Sequence, residues 1–387
     1  MAIKVSRRGG ISPFIVMDVM AAAFTRAAAG HDVVHLEVGQ PSTGAPAVVA
    51  AAARSAVATD RLAYTEAFGR PALRGRIARH YAATYGIEID PGRIAVTTGS
   101  SGAFILAFLA AFDAGDRVAF ASPGYPGYRN ILGALGIDTV ILPAGPETGF
   151  QPTVALLEAL PEPPDGLILA SPANPTGAML DRGRLEEIAA WCGRHGVRIV
   201  SDEIYHGITY GKRAETMCAL EPSAIVVNSF SKYFSMTGWR LGWMVMPEDL
   251  ARALECLAQN LFISPPTLSQ IAAEAVFDCR DELDANLRRY AENREILLAG
   301  LEACGFGPFA PADGAFYVYA GIGALGENSV ALAREILESA GVAATPGIDF
   351  DPERGGRYIR FCYAGPTEEM RTAVSRLEEW RRGRNRR

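Results

Sequence analysis

Between residues 93 and 232 the chain repeats one pattern: a short β-branched or apolar run, a small polar turn, then a segment with helical spacing. "RIAVTTG" (93–99) leads into "SGAFILAFLAAF", "DRVAFASPGY" (116–125) into "PGYRNILGALG", and "GLILASPANPTG" (166–177) into "LDRGRLEEIAAWCGRHG". "VRIVSDEIY" (197–205) and "AIVVNSFSK" (224–232) add two further runs. This alternation predicts an α/β fold, a mostly parallel sheet with helices on both faces, because parallel neighbours need a crossover of helical length. The near-continuous apolar runs suit strands buried on both sides.

Outside that repeat the pattern changes. A long helical region covers 247–303, with Leu283, Leu287, Tyr290, Ile296 and Leu297 at broadly helical spacing. After Gly305, short strands at "GAFYVYA" (314–320) and "RYIRFCYA" (357–364) flank a helix near 330–341. They predict a second, smaller α+β domain, joined by the N-terminal segment. The division is 45–285 for the large domain and 1–44 with 286–387 for the small one. The stretch "KVSRRGGISPFIVMDVMAAAF" places basic residues before apolar ones, as an export signal does. Asp18 interrupts it and no cleavage pattern follows, so an amphipathic helix over 13–29 is the reading taken. The longest apolar run, 102–112, falls short of the roughly 20 residues needed to span a bilayer.

A 387-residue chain with 49% hydrophobic and 21% charged residues has room for one large core and a smaller one. Its net charge of -6 gives no reason to expect a nucleic-acid or membrane partner. The one basic run, 381–387, reads as a fraying, solvated end. Six cysteines form no C-x-x-C pair and no metal spacing with histidine, as in a cytoplasmic protein with reduced thiols.

In an open parallel sheet, ligands bind beyond the carboxyl ends of the strands, and there the unusual polar residues fall. Ser100, Ser101 and Gly102 follow the first run and open a helix. They make an anion site or a serine-rich cap, but not a Walker loop, because its lysine is missing. Asn174 lies between turn-forming prolines. Asp202 and Glu203 end another run, with Tyr205 two residues on; a carboxylate buried there costs several kcal/mol, in rough terms, unless it meets a cation or serves as a cap. Tyr125 and Tyr128 follow a strand, and Tyr125 is a stacking surface or part of a turn. Lys232 ends the run at 224–227, as a loop lysine or as a covalent anchor. Together these residues fill the needs of pyridoxal phosphate: an amine, an anion for its ring nitrogen, donors for its phenolate, a phosphate cradle and a flat face.

With "VGQPS" (38–42), "YTEAFGRPALR" (64–74), "TTGSSGAF" (97–104), "SPANPTG" (171–177), "SDEIY" (201–205), "SFSKYFSMTGWRLGW" (229–243), "GAFYV" (314–318) and "IRFCYA" (359–364), the chain resembles the class I pyridoxal-phosphate aminotransferases. These share fold type I with aspartate aminotransferase, and the order of the motifs matches from end to end. The resemblance implies that Lys232 holds the cofactor as an imine and that Asp202 keeps its ring nitrogen protonated. It implies that Asn174 and Tyr205 bond the phenolate oxygen and Tyr125 stacks on the ring. Ser100, Ser101, Gly102, Ser229 and Arg240 would take the phosphate, and Tyr64 would reach it from a neighbouring subunit, which implies a homodimer. Arg360, assisted by Gly39 and Asn174, would clamp the substrate α-carboxylate. The phosphate turn reads "GSSG" rather than glycine and a polar pair, which makes Ser101 a surer ligand than Gly102. "GQPS" lacks an acidic residue often found there, which leaves side-chain specificity open.

The chemistry that follows is transfer of an amino group from an L-amino acid to a 2-oxo acid, with 2-oxoglutarate the expected acceptor, by a ping-pong route. Lys232 would carry the proton. The alternatives are a C–S β-lyase or related synthase of the same fold, and a non-catalytic ligand sensor. No second arginine can be placed to read a distal acid. Trp239 and Trp243 are assigned to the core, and His206 has no assigned partner.

Overall fold

The protein is described by a computed structural model over residues 3–384 and 386. Helix α1 (Ile15–Ala28) and the short strand β1 (Val34–His35) lead to α2 (Ala47–Thr59) and α3 (Pro71–Tyr85). Strand and helix then alternate: β2 (Ile94–Thr97), α4 (Gly99–Ala111), β3 (Arg117–Ser122), α5 (Pro126–Leu135), β4 (Asp138–Pro143), α6 (Val154–Glu158), β5 (Gly166–Ala170) and α7 (Arg182–His195). Next come β6 (Arg198–Asp202), β7 (Ile225–Ser229) and β8 (Gly242–Val245).

Strands β2 to β8 form one sheet in the order β2-β8-β7-β6-β5-β3-β4. β8 runs against both its neighbours, and the other six strands are parallel. The runs read from sequence as buried strands lie inside this sheet, and every residue of β7 is buried. The edge strand β4 escaped the sequence reading because it is largely exposed and carries no continuous apolar signal. β8 lies within a motif read only for its chemistry. Helix α4 is apolar almost all round and packs inside, against β7 and β8.

The helical region at 247–303 is three helices: α8 (Ala251–Leu261), α9 (Thr267–Ala273) and α10 (Arg280–Ala303). Pro265 and Pro266 stop the first break from being helical. Helix α10 spans two cores: Leu283 packs with the large sheet, whereas Tyr290, Leu297 and Leu301 pack in the second core. That core holds β9 (Tyr317–Gly321), α11 (Ser329–Ala340), β10 (Val342–Ala343), β11 (Thr345–Pro346), β12 (Tyr358–Cys362) and α12 (Thr367–Arg384). β11, β12 and β9 form an antiparallel sheet. β1 pairs in parallel with β10, which ties the N-terminal segment to this core. The basic end differs from its reading as a fraying tail. α12 continues to Arg384, whose guanidinium lies 5.4 Å from the ring of Trp380, while residues 385 and 387 lie outside those described. The six cysteines are unpaired. Among the described residues no helix is long and apolar enough to cross a membrane.

Candidate active site

The carboxyl ends of β5, β6 and β7 bring Asn174, Asp202 and Lys232 to one side of the large sheet, facing β12 of the second core. Lys232 lies in the tight turn after β7, and its Nζ donates to the carbonyl oxygen of Gly39 at 2.7 Å. Burial pulls its amine down to about 8, and the neighbouring Arg360 and Arg240 guanidiniums push the same way against Asp202. Gly39 is fixed by space: a Cβ there would come within 1.9 Å of the Tyr317 hydroxyl. Tyr317 in turn bonds the Tyr205 hydroxyl at 2.6 Å.

Asp202, the last residue of β6, is 4% exposed. Its Oδ1 accepts from the Ile204 amide at 3.1 Å, and its Oδ2 accepts the Tyr128 hydroxyl. Burial pushes this carboxyl up to about 6, while the Tyr128 hydrogen bond pulls it back. It is therefore still mostly ionised at neutral pH, a buried anion without an ion-pair partner among the described residues. Tyr128 sits one turn into α5 from Tyr125, and the two rings meet edge to face at 5.3 Å. Tyr125 also meets Phe14 edge to face at 5.9 Å.

At the start of α4 the serines are not caps. The N-cap is Thr98, with no side-chain cap bond, and Ser100 and Ser101 lie inside the first turn with hydroxyls free of hydrogen bonds among the described residues. Gly99 has φ +68, and a Cβ there would come within 2.5 Å of an Arg240 guanidinium nitrogen. Its missing side chain thus lets a cation meet a helix N-terminus, which together form an anion cradle. The buried Ser229 hydroxyl is held between the Leu241 carbonyl (3.4 Å) and the Ser231 amide (3.1 Å).

Arg360 on β12 is 2% exposed, with its guanidinium between the rings of Tyr317 (4.4 Å) and Phe350 (4.7 Å). It donates to Asn174 Oδ1 at 2.9 Å and to the Glu37 carbonyl at 2.5 Å. Its Nε has no partner, and among the described residues no carboxylate pairs with it. A surface ion pair is therefore not its role; a buried cation left this way calls for an anion from outside.

Tyr64 is 81% exposed and stands apart from this cluster within one chain. Sequence reasoning passed over Tyr128, Tyr317 and Phe350 as site residues. The signal for Tyr128 was its i+3 spacing from Tyr125; the other two carry none without the fold. Trp243 is buried in the core as read, and Trp239 packs against it. His206 does have partners: Tyr85 Oη at 2.7 Å and the Ser171 carbonyl at 3.0 Å.

The set fits pyridoxal phosphate on three observations: an enclosed amine with a depressed pKa, a cradle opened by Gly99, and a buried guanidinium with a nitrogen unpartnered. The comparisons agree. The family model for aminotransferase class I and II matches residues 31–377. A valine–pyruvate aminotransferase of Mycobacterium tuberculosis is 50% identical over 97% of this chain and 98% of its own length. A crystal structure of an aminotransferase from Mycobacterium tuberculosis superposes with a TM-score of 0.96 at 49% identity, covering 99% of this chain and 100% of the other. The aspartate aminotransferase of Thermus thermophilus with maleate gives 0.92 at 32% identity, covering 98% and 100%.

Proposed function

The chain belongs to the class I and II aminotransferases and is a pyridoxal-phosphate-dependent aminotransferase, and from that premise we propose the roles of its residues and the substrates it takes. Asp202 would face the ring nitrogen of the cofactor, Asn174 and Tyr205 its phenolate oxygen, and Tyr125 its face. Ser100, Ser101, Gly102, Ser229 and Arg240 would hold its phosphate. When bound, the cofactor supplies an aldehyde and a ring that withdraws electrons. Arg360 binds the α-carboxylate of the amino acid as a fork, which a planar guanidinium can do and an ammonium cannot. Asn174 and Gly39 orient that carboxylate. Lys232, depressed to about 8, is in part an unprotonated amine near neutral pH, and it takes the proton from the substrate α-carbon. Amino donor and oxo-acid acceptor use the same clamp in turn.

The observation that carries this reading is Arg360: a buried cation without a counter-ion among the described residues, beside the same Asn174 that lies at the strand ends with Lys232 and Asp202. The faces next to it are aromatic, Tyr317 and Phe350. They support a small apolar amino acid as donor and a monocarboxylic oxo acid as acceptor, in line with the relative named for valine and pyruvate. 2-Oxoglutarate, the acceptor expected from sequence, is the competing outcome. Mixing the cofactor-loaded enzyme with single amino acids and following loss of its visible absorption decides the donor. Valine and alanine are expected to bleach it at least about tenfold more efficiently than aspartate or glutamate; the reverse order overturns the specificity and leaves the aminotransferase assignment standing.

A homodimer that shares its sites is part of the proposal. Tyr64 is supported in this by exposed Leu62 and Ile263, on segments tied together through Thr267 Oγ1 and the Ala63 carbonyl (2.6 Å). The division at 45–285 and 1–44 with 286–387 belongs here too; its boundary at 285 falls within α10. Six unpaired thiols support a reducing, cytoplasmic setting.

A further inference from the structure

On the far side of the 203–207 turn from Lys232 lies a cleft of about 650 Å³, within the size range of small-molecule sites. None of Lys232, Asp202 and Arg360 lines it, although His206 and Tyr233, the chain neighbours of Tyr205 and Lys232, do. Its floor is aromatic and apolar, with Tyr233, Phe234 and Phe277 packed edge to face. The Tyr233 ring lies on the backbone of Gly207, where φ is +91 and a Cβ would come within 2.7 Å of the ring. Phe234, Phe277 and Leu283 continue this surface. His80 and His206 add rings without charge at neutral pH, since burial lowers both to about 4.

The walls carry four arginines against two aspartates. Asp278 is paired with Arg76 at 2.5 Å, and Asp284 accepts the Tyr233 hydroxyl at 2.8 Å with Arg280 at 3.5 Å. Arg79 and Arg288 have no acidic partner among the described residues, and the buried Arg76 Nε has no hydrogen-bond partner. An aromatic floor below unpaired guanidiniums matches one ligand chemistry. We propose that this cleft is a second binding site, separate from the catalytic one, for a small aromatic monocarboxylate whose ring lies on Tyr233 and whose carboxylate is taken by Arg79 and Arg288.

Calorimetric titration of the cofactor-loaded enzyme with indole-3-acetate tests it. Arg360→Gln separates binding in the cleft from binding at the catalytic clamp. The expected result is one equivalent bound per chain, retained in Arg360→Gln. Arg79→Gln and Arg288→Gln should each weaken binding roughly tenfold, as loss of one charged hydrogen bond does, with turnover unchanged within about twofold. Ala83→Trp, which fills the cleft from α3, should abolish binding without lowering the melting temperature. Absence of binding, loss of binding in Arg360→Gln, or full binding in the Arg79→Gln, Arg288→Gln double variant would each overturn the proposal.

Discussion

Asp202 and Glu203 are adjacent carboxylates at the end of β6, both buried, and they face two different settings. On the Asp202 side stand Lys232, Arg360, Ser100 and Ser101, groups with donors or charges that the chain itself leaves unmatched. On the Glu203 side the chain supplies donors to one carboxylate oxygen, and the other, Oε2, is buried without a hydrogen-bond partner among the described residues. Glu203 Oε1 accepts from Ser201 Oγ (3.1 Å) and the Met217 amide (2.8 Å), and Oε2 lies 3.4 Å from His206 Nδ1. His206 is held in turn by Tyr85 and Ser171. Burial raises both carboxyls, Asp202 to about 6 and Glu203 to about 7. The pKa shifts alone do not separate function from structure; what separates them is whether cations without an ion-pair partner among the described residues stand near the carboxylate, as Lys232 and Arg360 do on the Asp202 side.

That contrast can be broken by substitution. Lys232→Ala should lower turnover by about 10³-fold, as loss of a proton carrier does. Borohydride reduction followed by peptide mapping should find the pyridoxyl label at residue 232 in the wild type only; a label elsewhere would remove the anchor from the scheme. Asp202→Asn should lower kcat by roughly 10²–10³-fold, the scale of a lost preorganised charge. In the cofactor-free protein the raised pKa of Asp202 means that its ionisation costs stability as pH climbs through about 6, so this variant, freed of cofactor, should melt higher than cofactor-free wild type at pH 8.

Smaller effects sharpen the comparison. Tyr128→Phe removes a hydrogen bond that favours ionised Asp202, so the acid limb of the pH–kcat profile should move upward, with kcat down about fivefold near neutral pH. An unmoved limb would leave Tyr128 a packing residue. Glu203→Gln should leave kcat within about twofold and change only stability. In the wild type the Glu203 contribution is present below its unfolded pKa and is lost as pH rises through about 7, so the variant should flatten the fall in melting temperature between pH 5 and pH 8. A large loss of activity in Glu203→Gln would erase the distinction between the two sides.

Much of this was legible in the chain. The buried strands of the large sheet announced themselves as continuous apolar runs, and the polar residues closing them stand next to those runs in sequence. The exposed edge strand β4 and the short β1, β10 and β11 were not legible, because a strand with few buried residues has no period to read. Among site residues, Tyr128 stood in a quoted motif without a role, since nothing local says that its hydroxyl meets a carboxylate 74 residues away.

The sequence by itself determined the alternation of the buried strands with helices, the placement of Lys232, Asp202 and Asn174 at strand ends, and the family motifs, all of which are local patterns of a few residues. Only the tertiary structure decided that Lys232 meets the carbonyl of Gly39 across 193 residues, that Arg360 meets Asn174 across 186, and that Asp202 faces the open site while Glu203 faces Ser201, Met217 and His206. Periodicity fixes which way a side chain points from its own strand. Which partner waits there depends on how separate elements pack, and that is set by the burial of the whole core.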